Sequence, residues 1–358
     1  MRVSDFHFEI PPERIAVRPS DPRSSAKLLV YDRSKQSMRH QHFFDLPQIL
    51  EPGSILVFNE TRVLRARFRG RRSTGGELEG LLLPSHDLGL RAWIKGKVNE
   101  GEIFFVDGFG PLRVKSRDAR AVELEGDAED FRRFLRLSGE IPLPPYIVSE
   151  RERRKLEAQV GEDEVLYQSL LATEGSASET SRFSAAAPTA SLHFDEPLMN
   201  ALSRSHCEIL RVGLDIGTAT FAPLEDGDIS SLQISSERCE IRESEWERIL
   251  EARREGRKIV AVGTTVLRTL ESGARREGPG IFETSLTIKP PFSFQIVDQL
   301  ITNFHWGRSS LLVLAATFME AEAGEAPNHL QGHWRSAYEE ALRKSYLFYS
   351  FGDGMLVL

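Results

Sequence analysis

Apolar and polar positions along this chain follow two different periods, and the change of period divides it. Between about Arg62 and Gly126 the apolar runs are short, at 63–69, 77–83, 91–97, 103–106, 112–115 and 121–124. Turn signals such as Gly75-Gly76 and Asp107-Gly108 separate them, which predicts a small antiparallel β-barrel. Apolar strands at 28–31 and 55–58 precede this region. After it, strands alternate with helical patterns at 130–137, 151–160, 164–172, 196–203, 245–254, 311–323 and 335–346. The helix at 245–254 is expected to open on a capping box, Ser244 followed by Glu247, and the one at 311–323 has an apolar face of Leu311, Leu312, Leu314 and Ala315. The economical architecture is an α/β main domain, 1–61 and 127–358, carrying an inserted antiparallel β-barrel at 62–126.

The stretch 259–272, I-V-A-V-G-T-T-V-L-R-T-L-E-S, is the most informative, because an apolar strand runs through a Gly-Thr-Thr turn straight into a helix. Gly263 lets the backbone turn, and Thr264 or Thr265 is placed to cap the helix while leaving N–H groups for a polar ligand. The stretch 298–314 repeats this grammar, with a strand ending in Thr302-Asn303-Phe304-His305 and a helix opening near Ser309. Two polar strand ends beside helix starts predict one cleft at the edge of an α/β sheet.

With 358 residues, 40% apolar and 28% charged, the chain reads as a soluble globular protein of two or three domains. No run approaches membrane-spanning length and the first residues lack a signal-peptide core, so a cytoplasmic location without membrane contact is expected. Cys207 and Cys239 form no C-x-x-C pair and read as buried fillers. His329 and His333 lie four apart, but Gly332 between them and the missing glutamate of H-E-x-x-H argue against zinc, so no metal is expected. The Ser-rich 174–184 reads as a mobile loop, and the charged 149–155 as a solvated helix face or linker.

A net charge of −7 is wrong for gripping nucleic acid by bulk charge. One local patch stands out. Arg62, Arg65, Arg67, Arg69, Arg71 and Arg72 crowd together, and the odd-numbered ones would share one strand face. They read either as RNA contacts, chiefly Arg62, Arg65, Arg67 and Arg69, or as solvated charges guarding an edge strand.

Further segments carry a resemblance. They are Asn59-Glu60-Thr61-Arg62-Val63 with Ala66-Arg67, Thr74-Gly75-Gly76 with Glu79, Gly139-Glu140-Ile141-Pro142-Leu143-Pro144-Pro145-Tyr146-Ile147 and Tyr167-Gln168. Later come Ala186-Ala187-Pro188-Thr189-Ala190 with Leu192-His193-Phe194, Gly263-Thr264-Thr265 with Arg268-Thr269-Leu270-Glu271-Ser272, Thr302-Asn303-Phe304-His305, and Ser350-Phe351-Gly352-Asp353. In order and coverage the chain resembles the S-adenosylmethionine:tRNA ribosyltransferase-isomerases of queuosine biosynthesis. The resemblance implies an α/β domain with an inserted β-barrel, S-adenosylmethionine as ribosyl donor, tRNA as partner, and no metal. It also implies the reaction: the ribosyl group moves and isomerises onto 7-aminomethyl-7-deazaguanine at the tRNA wobble position, releasing adenine and methionine to leave epoxyqueuosine. Departures cluster in the later half. Where the family reads L-H-V-G-A-G-T-F, this chain has Leu214-Asp215-Ile216-Gly217-Thr218-Ala219-Thr220-Phe221; where it carries H-x-M-H-S-E, the chain has Leu232 to Glu237 without histidine; and Trp306-Gly307-Arg308 replaces Leu-Pro-Lys.

Such chemistry needs a base, a donor to the departing purine and a dry polar pocket. His193 and His305 are the histidines inside motifs, each either catalytic or a hydrogen-bonded structural residue. Glu271 is a base or a partner of Arg268, and Asp353 binds a ribose hydroxyl or shapes its turn. Phe194, Phe221 and Phe304 face the sulfonium or adenine, or pack in the core. The cosubstrate pocket is expected from Pro188, Thr189, Gly217, Thr220, Gly263, Thr264, Thr265, Arg268 and Asn303. A methyltransferase is the enzyme alternative, although no G-x-G-x-x-G turn follows a first strand, and an RNA-binding module with an altered site is the non-enzymatic one.

Overall fold

The computed structural model describes residues 1–83, 89–118, 121–158, 160–172, 184–216, 224–276, 278–321 and 330–358. Strands β1 (Lys27–Asp32), β2 (Ser37–His42) and β3 (Ile55–Asn59) come first. The chain then crosses into β4 (Arg67–Arg72), β5 (Glu77–Leu83), β6 (Leu90–Ile94), β7 (Ile103–Val106), β8 (Gly110–Arg117) and β9 (Val122–Glu125). It returns through β10 (Glu208–Leu214), β11 (Glu237–Ile241), β12 (Ile259–Val262), β13 (Gly280–Thr284), β14 (Gln299–Asn303) and β15 (Gly354–Val357).

The early and late strands share one nine-stranded sheet, in the order β13-β11-β10-β3-β12-β14-β15-β1-β2. Its centre, β10-β3-β12-β14, is parallel. Every residue of β3, β12 and β14 is buried, as expected of parallel strands covered on both faces. Alternate side chains feed two cores. Ile55, Val57, Ile259, Ala261 and Leu300 pack with Trp246, Leu267 and Leu270, whereas Leu56, Phe58, Val260, Val262 and Ile301 pack with Phe194, Leu198 and Leu202.

Strands β4 to β9 close into a barrel in the order β4-β5-β6-β9-β8-β7. Phe68, Leu78, Leu82, Ala92, Ile94, Phe104 and Val114 fill it, and Phe131 and Leu135 of the helix Ala128–Ser138 pack on the same core. The expected strands at 77–83 and 103–106 match β5 and β7. The first barrel strand begins later than expected, because the preceding residues are spent on the crossing, where Val63 bridges Ser184.

Three helix expectations need correction. Instead of 151–160, a helix covers Pro145–Arg153: Pro145 suits a first turn, and Lys155 beyond the end is left-handed at φ 60°. Its charged stretch is not a solvated face, since Glu150 and Arg151 are 4% and 2% exposed, Arg151 pairing with Asp163 at 2.7 Å. Only one helical turn, Asp163–Leu166, stands in the region 164–172. The helix Glu243–Arg254 begins at the N-cap Arg242, which places Ser244 inside the first turn and leaves no side-chain cap. Both cysteines are buried and free. The Ser-rich loop lies outside the described residues up to Ser184, as does His329.

Packing inside the barrel fixes one glycine. A Cβ on Gly70 would lie 2.3 Å from the Phe105 carbonyl oxygen across the β4–β7 pair. Gly70→Ala is expected to cost about 1–3 kcal/mol of stability by forcing the strands apart, measured by denaturant unfolding.

Candidate active site at the carboxyl ends of the central strands

The parallel centre delivers the ends of β3, β10, β12 and β14 to one edge. Asn59, the last residue of β3, closes that edge on one side: its Nδ2 donates to the Leu214 carbonyl at 3.0 Å, and its Oδ1 accepts the Thr61 hydroxyl at 2.7 Å. β12 runs through Gly263 into the helix Thr264–Arg275, and φ 101° at Gly263 is a conformation that favours glycine. Neither threonine caps this helix through its side chain; Gly263 itself is the N-cap. Thr265 is instead left with a buried hydroxyl that has no partner. One turn on, Arg268 is 7% exposed, donates through Nη1 to Glu237, and holds Nε and Nη2 buried and unpartnered. Nε and Nη2 form one side of the guanidinium, a ready fork for a two-oxygen acceptor.

These donors face a recess of about 70 Å³ lined by Pro188, Thr189, Gly263, Thr264, Thr265, Arg268, Asn303, Phe304 and His305. The two strand-helix junctions thus share one pocket, as the sequence pattern predicts. Tyr146, Trp306, Tyr349 and Ser350 also line it. Sequence reasoning missed those four, although Tyr146 and Ser350 stand inside quoted motifs and Trp306 and Tyr349 directly beside them. A cleft of about 1050 Å³ between the barrel and the sheet shares Glu237, Arg268 and Leu311 with the recess.

The two histidines play different parts. His305 lines the recess, and its Nε2 lies 2.9 Å from the Thr302 hydroxyl, while its backbone N–H donates to Tyr338 at 2.8 Å. His193 stands behind the pocket wall, 4% exposed and stacked on Phe43 at 4.1 Å. The Asn303 amide Nδ2 donates to His193 Nε2 at 3.1 Å, which leaves the His193 proton on Nδ1. Asn303 Nδ2 also donates to the Tyr349 carbonyl at 3.2 Å, and Asn303 Oδ1 accepts from Thr189 at 2.8 Å. Burial pushes both imidazoles down to about 3, with the nearby Arg23 charge adding to the effect at His193.

Three expected site residues lie away from the recess. Glu271 is fully buried and accepts the backbone N–H groups of Gln295, Ile296 and Val297 at 2.9–3.1 Å, with Arg275 on its second oxygen at 2.7 Å. It therefore fastens a loop, and its cation is Arg275 rather than Arg268. Asp353 accepts from the Lys27 and Leu347 backbone N–H groups, both at 2.7 Å, and shapes the C-terminal turn. Phe194 packs edge-on against Phe58 at 4.8 Å in the core. Gly217, Thr218, Ala219, Thr220 and Phe221 lie outside the described residues.

With this arrangement in place, the chain can be set beside known proteins. The family model described as queuosine biosynthesis protein matches residues 3–357. The chain belongs to that family. It is 38% identical to the S-adenosylmethionine:tRNA ribosyltransferase-isomerase of Anaeromyxobacter sp. (strain K), over 100% of this chain and 99% of that protein. With its Aquifex aeolicus (strain VF5) counterpart it shares 37% identity over 100% of both chains. A crystal structure of S-adenosylmethionine tRNA ribosyltransferase from Thermotoga maritima matches with TM-score 0.54 and 29% identity, covering 99% of this chain and 100% of that one.

In this queuosine-family chain four arginines of the cluster pair with carboxylates. Arg65 pairs with Glu164, Arg67 with Glu79 at 2.8 Å, Arg69 with Glu140 at 2.9 Å, and Arg72 with Glu102. Arg65 precedes β4, so the shared strand face consists of Arg67, Arg69 and Arg71. Arg62 sits at the crossing, its carbonyl accepting from Ser184. Where the wider family was expected to carry histidines, Leu232 and Ser235 line the large cleft. Among the described residues no group of three His, Cys, Asp or Glu converges on a metal position.

Two predictions follow from the burial of this family's site. Removing Glu271 with Ala leaves the Gln295–Val297 N–H groups unsatisfied, and is expected to lower stability by about 3 kcal/mol while kcat of the folded fraction stays near wild type, separated by unfolding curves and active-site titration. His193 and His305 ionise in the folded chain only near about 3, against an ordinary value of 6.5. Their contribution to stability is thus complete above about pH 6.5 and is lost as pH falls from there, because the unfolded chain takes the protons first. Urea unfolding between about pH 7 and pH 5 should show that decline, and His193→Asn should make it shallower by up to one proton.

Proposed function

We propose that this chain is an S-adenosylmethionine:tRNA ribosyltransferase-isomerase. It transfers and isomerises the ribosyl group of S-adenosylmethionine onto 7-aminomethyl-7-deazaguanine at the tRNA wobble position, giving epoxyqueuosine with release of adenine and methionine. One observation carries the reading: buried, unpartnered donors at the Gly-Thr-Thr turn, Thr265 Oγ1 and the Arg268 Nε/Nη2 edge, both in the wall of the small recess, with Arg268 also in the wall of the large cleft. Unmet donors at this depth are costly unless a ligand completes them. The Arg268 fork suits the carboxylate of the donor's methionine, and Thr265 suits a ribose or purine acceptor atom.

The positive sulfonium makes the neighbouring C5′ proton acidic, so a positioned base starts the rearrangement. His305 fills that role. Burial keeps it neutral at physiological pH. When the Thr302 hydroxyl donates to the Asn303 carbonyl at 3.4 Å, it accepts from His305 Nε2–H and leaves Nδ1 with its lone pair. His193 is a positioning residue that holds Asn303, and through it Thr189, against the recess. The tRNA lies along the large cleft, where Lys95, Lys97 and Arg117 of the barrel offer phosphate contacts, and a tRNA substrate implies a cytoplasmic location.

Incubating the protein with labelled S-adenosylmethionine and tRNA bearing the 7-aminomethyl-7-deazaguanine base should release adenine and methionine in equal amounts. His305→Ala should slow this by roughly 10²–10⁴ with little loss of S-adenosylmethionine binding. S-adenosylhomocysteine as the product would instead establish methyl transfer, and an intact cosubstrate would leave a binding module.

A further inference from the structure

Three aromatic rings from distant parts of the chain meet at the recess. Tyr146 comes from the helix after the barrel, Trp306 from the turn after β14 and Tyr349 from the loop before β15. Tyr146 stands between the others: its centroid is 4.7 Å from Tyr349 with 51° between planes, and 6.3 Å from Trp306 with 59°. Parallel stacking would hide the ring faces against each other. Planes inclined this steeply form a concave corner, and all three residues keep partial exposure.

The corner is held against a backbone cost. Tyr349 has φ 72°, a conformation a bulky residue seldom takes unless its surroundings impose it. Those surroundings are the strand-end motif itself: the Tyr349 N–H donates to the Phe304 carbonyl at 3.1 Å, and its own carbonyl accepts from Asn303. The Tyr146 hydroxyl is tied to Ser350 Oγ at 2.5 Å.

We propose that Tyr146, Trp306 and Tyr349 seat the sulfonium of S-adenosylmethionine on their ring faces. The proposal rests on reading the recess as the cosubstrate pocket. An aromatic face carries the negative pole of the ring quadrupole and attracts a cation, most strongly where water is excluded. The carboxylate in the described wall, Glu237, is engaged by Arg268, so the rings are the groups left to meet a positive charge. Burial raises both phenol pKa values, Tyr349 to about 12, so the attraction comes from neutral rings. A purine would be better served by one flat face, whereas a compact centre with three carbon substituents fits a corner. Breaking the C5′–S bond leaves methionine as a neutral thioether, and the attraction ends with the charge.

S-adenosylhomocysteine shares the adenosine and amino-acid groups but carries a neutral sulfur, so the ratio of the two affinities isolates the charge. Calorimetry of both ligands without tRNA should show that Trp306→Leu and Tyr349→Leu each weaken S-adenosylmethionine by about tenfold and S-adenosylhomocysteine much less. Tyr349→Phe, which keeps the ring, should retain the wild-type ratio. Thermal unfolding identifies folded variants, and Trp306→Leu decides alone if Tyr349→Leu does not fold. Equal weakening of both ligands would overturn the proposal in favour of adenine stacking. An unchanged ratio with a raised KM for tRNA would overturn it in favour of the acceptor's aminomethyl cation. Wild-type protein that binds neither ligand would sink the pocket assignment and this proposal together, an outcome distinct from both.

Discussion

The site hangs on one buried carboxamide. Asn303 ends β14 at 2% exposure, and its amide group reaches both ends of the short 3-10 helix Thr189–His193 and the Tyr349 carbonyl of the C-terminal loop. In a dry interior each bond is strengthened, and each lost partner leaves a polar atom that water cannot rescue. A displacement of β14 would therefore move the Pro188 segment and the C-terminal loop together. The all-buried parallel centre prevents that displacement: β12 and β3 lock β14 from one side, and β15 pairs with it antiparallel on the other.

Electrostatics in this chain are mostly local and internally settled. Arg67 and Arg72 pair with glutamates within the barrel region, whereas Arg65 and Arg69 reach Glu164 and Glu140, which follow the barrel in sequence. Exposed pairs of this kind add little stability each, but they fix relative placement. The outer face of β6 follows the same rule, Arg91 pairing with Asp118 and Lys95, just beyond the strand, with Glu79 at 3.4 Å. Trp93 points outwards between them, is 39% exposed, and opposes Leu81 across the β5–β6 pair in the cleft wall.

Much of this was legible in the sequence wherever the signal was local. Glycine turns and short apolar runs located the barrel strands, and uninterrupted apolar strands meeting Gly-Thr-Thr and Asn-Phe-His located the pocket. Readings failed where a distant partner decides. The ion pairs of the arginine cluster are illegible because a carboxylate can lie as far as 99 residues away, as Glu164 does from Arg65. Glu271 looks like a base or a partner of Arg268 because the loop N–H groups it binds come 24–26 residues later. The aromatic corner was illegible for the same reason: no spacing relates Tyr146, Trp306 and Tyr349, and only the folded chain brings them together.

The unequal sizes of the two cavities carry a chemical consequence. A recess of about 70 Å³ meets a cleft of about 1050 Å³ at Glu237, Arg268 and Leu311, so a group seated in the recess and the rest of a larger ligand in the cleft would share one wall. Arg268 stands in both walls, with its plane fixed by Glu237. A reaction that exposes an activated ribosyl carbon must keep water out once the purine departs. The barrel contributes Arg67, Glu79, Trp93 and Lys95 to the wall of the cleft and no group to the wall of the recess, so the two cavities are built by different parts of the chain that meet at Arg268.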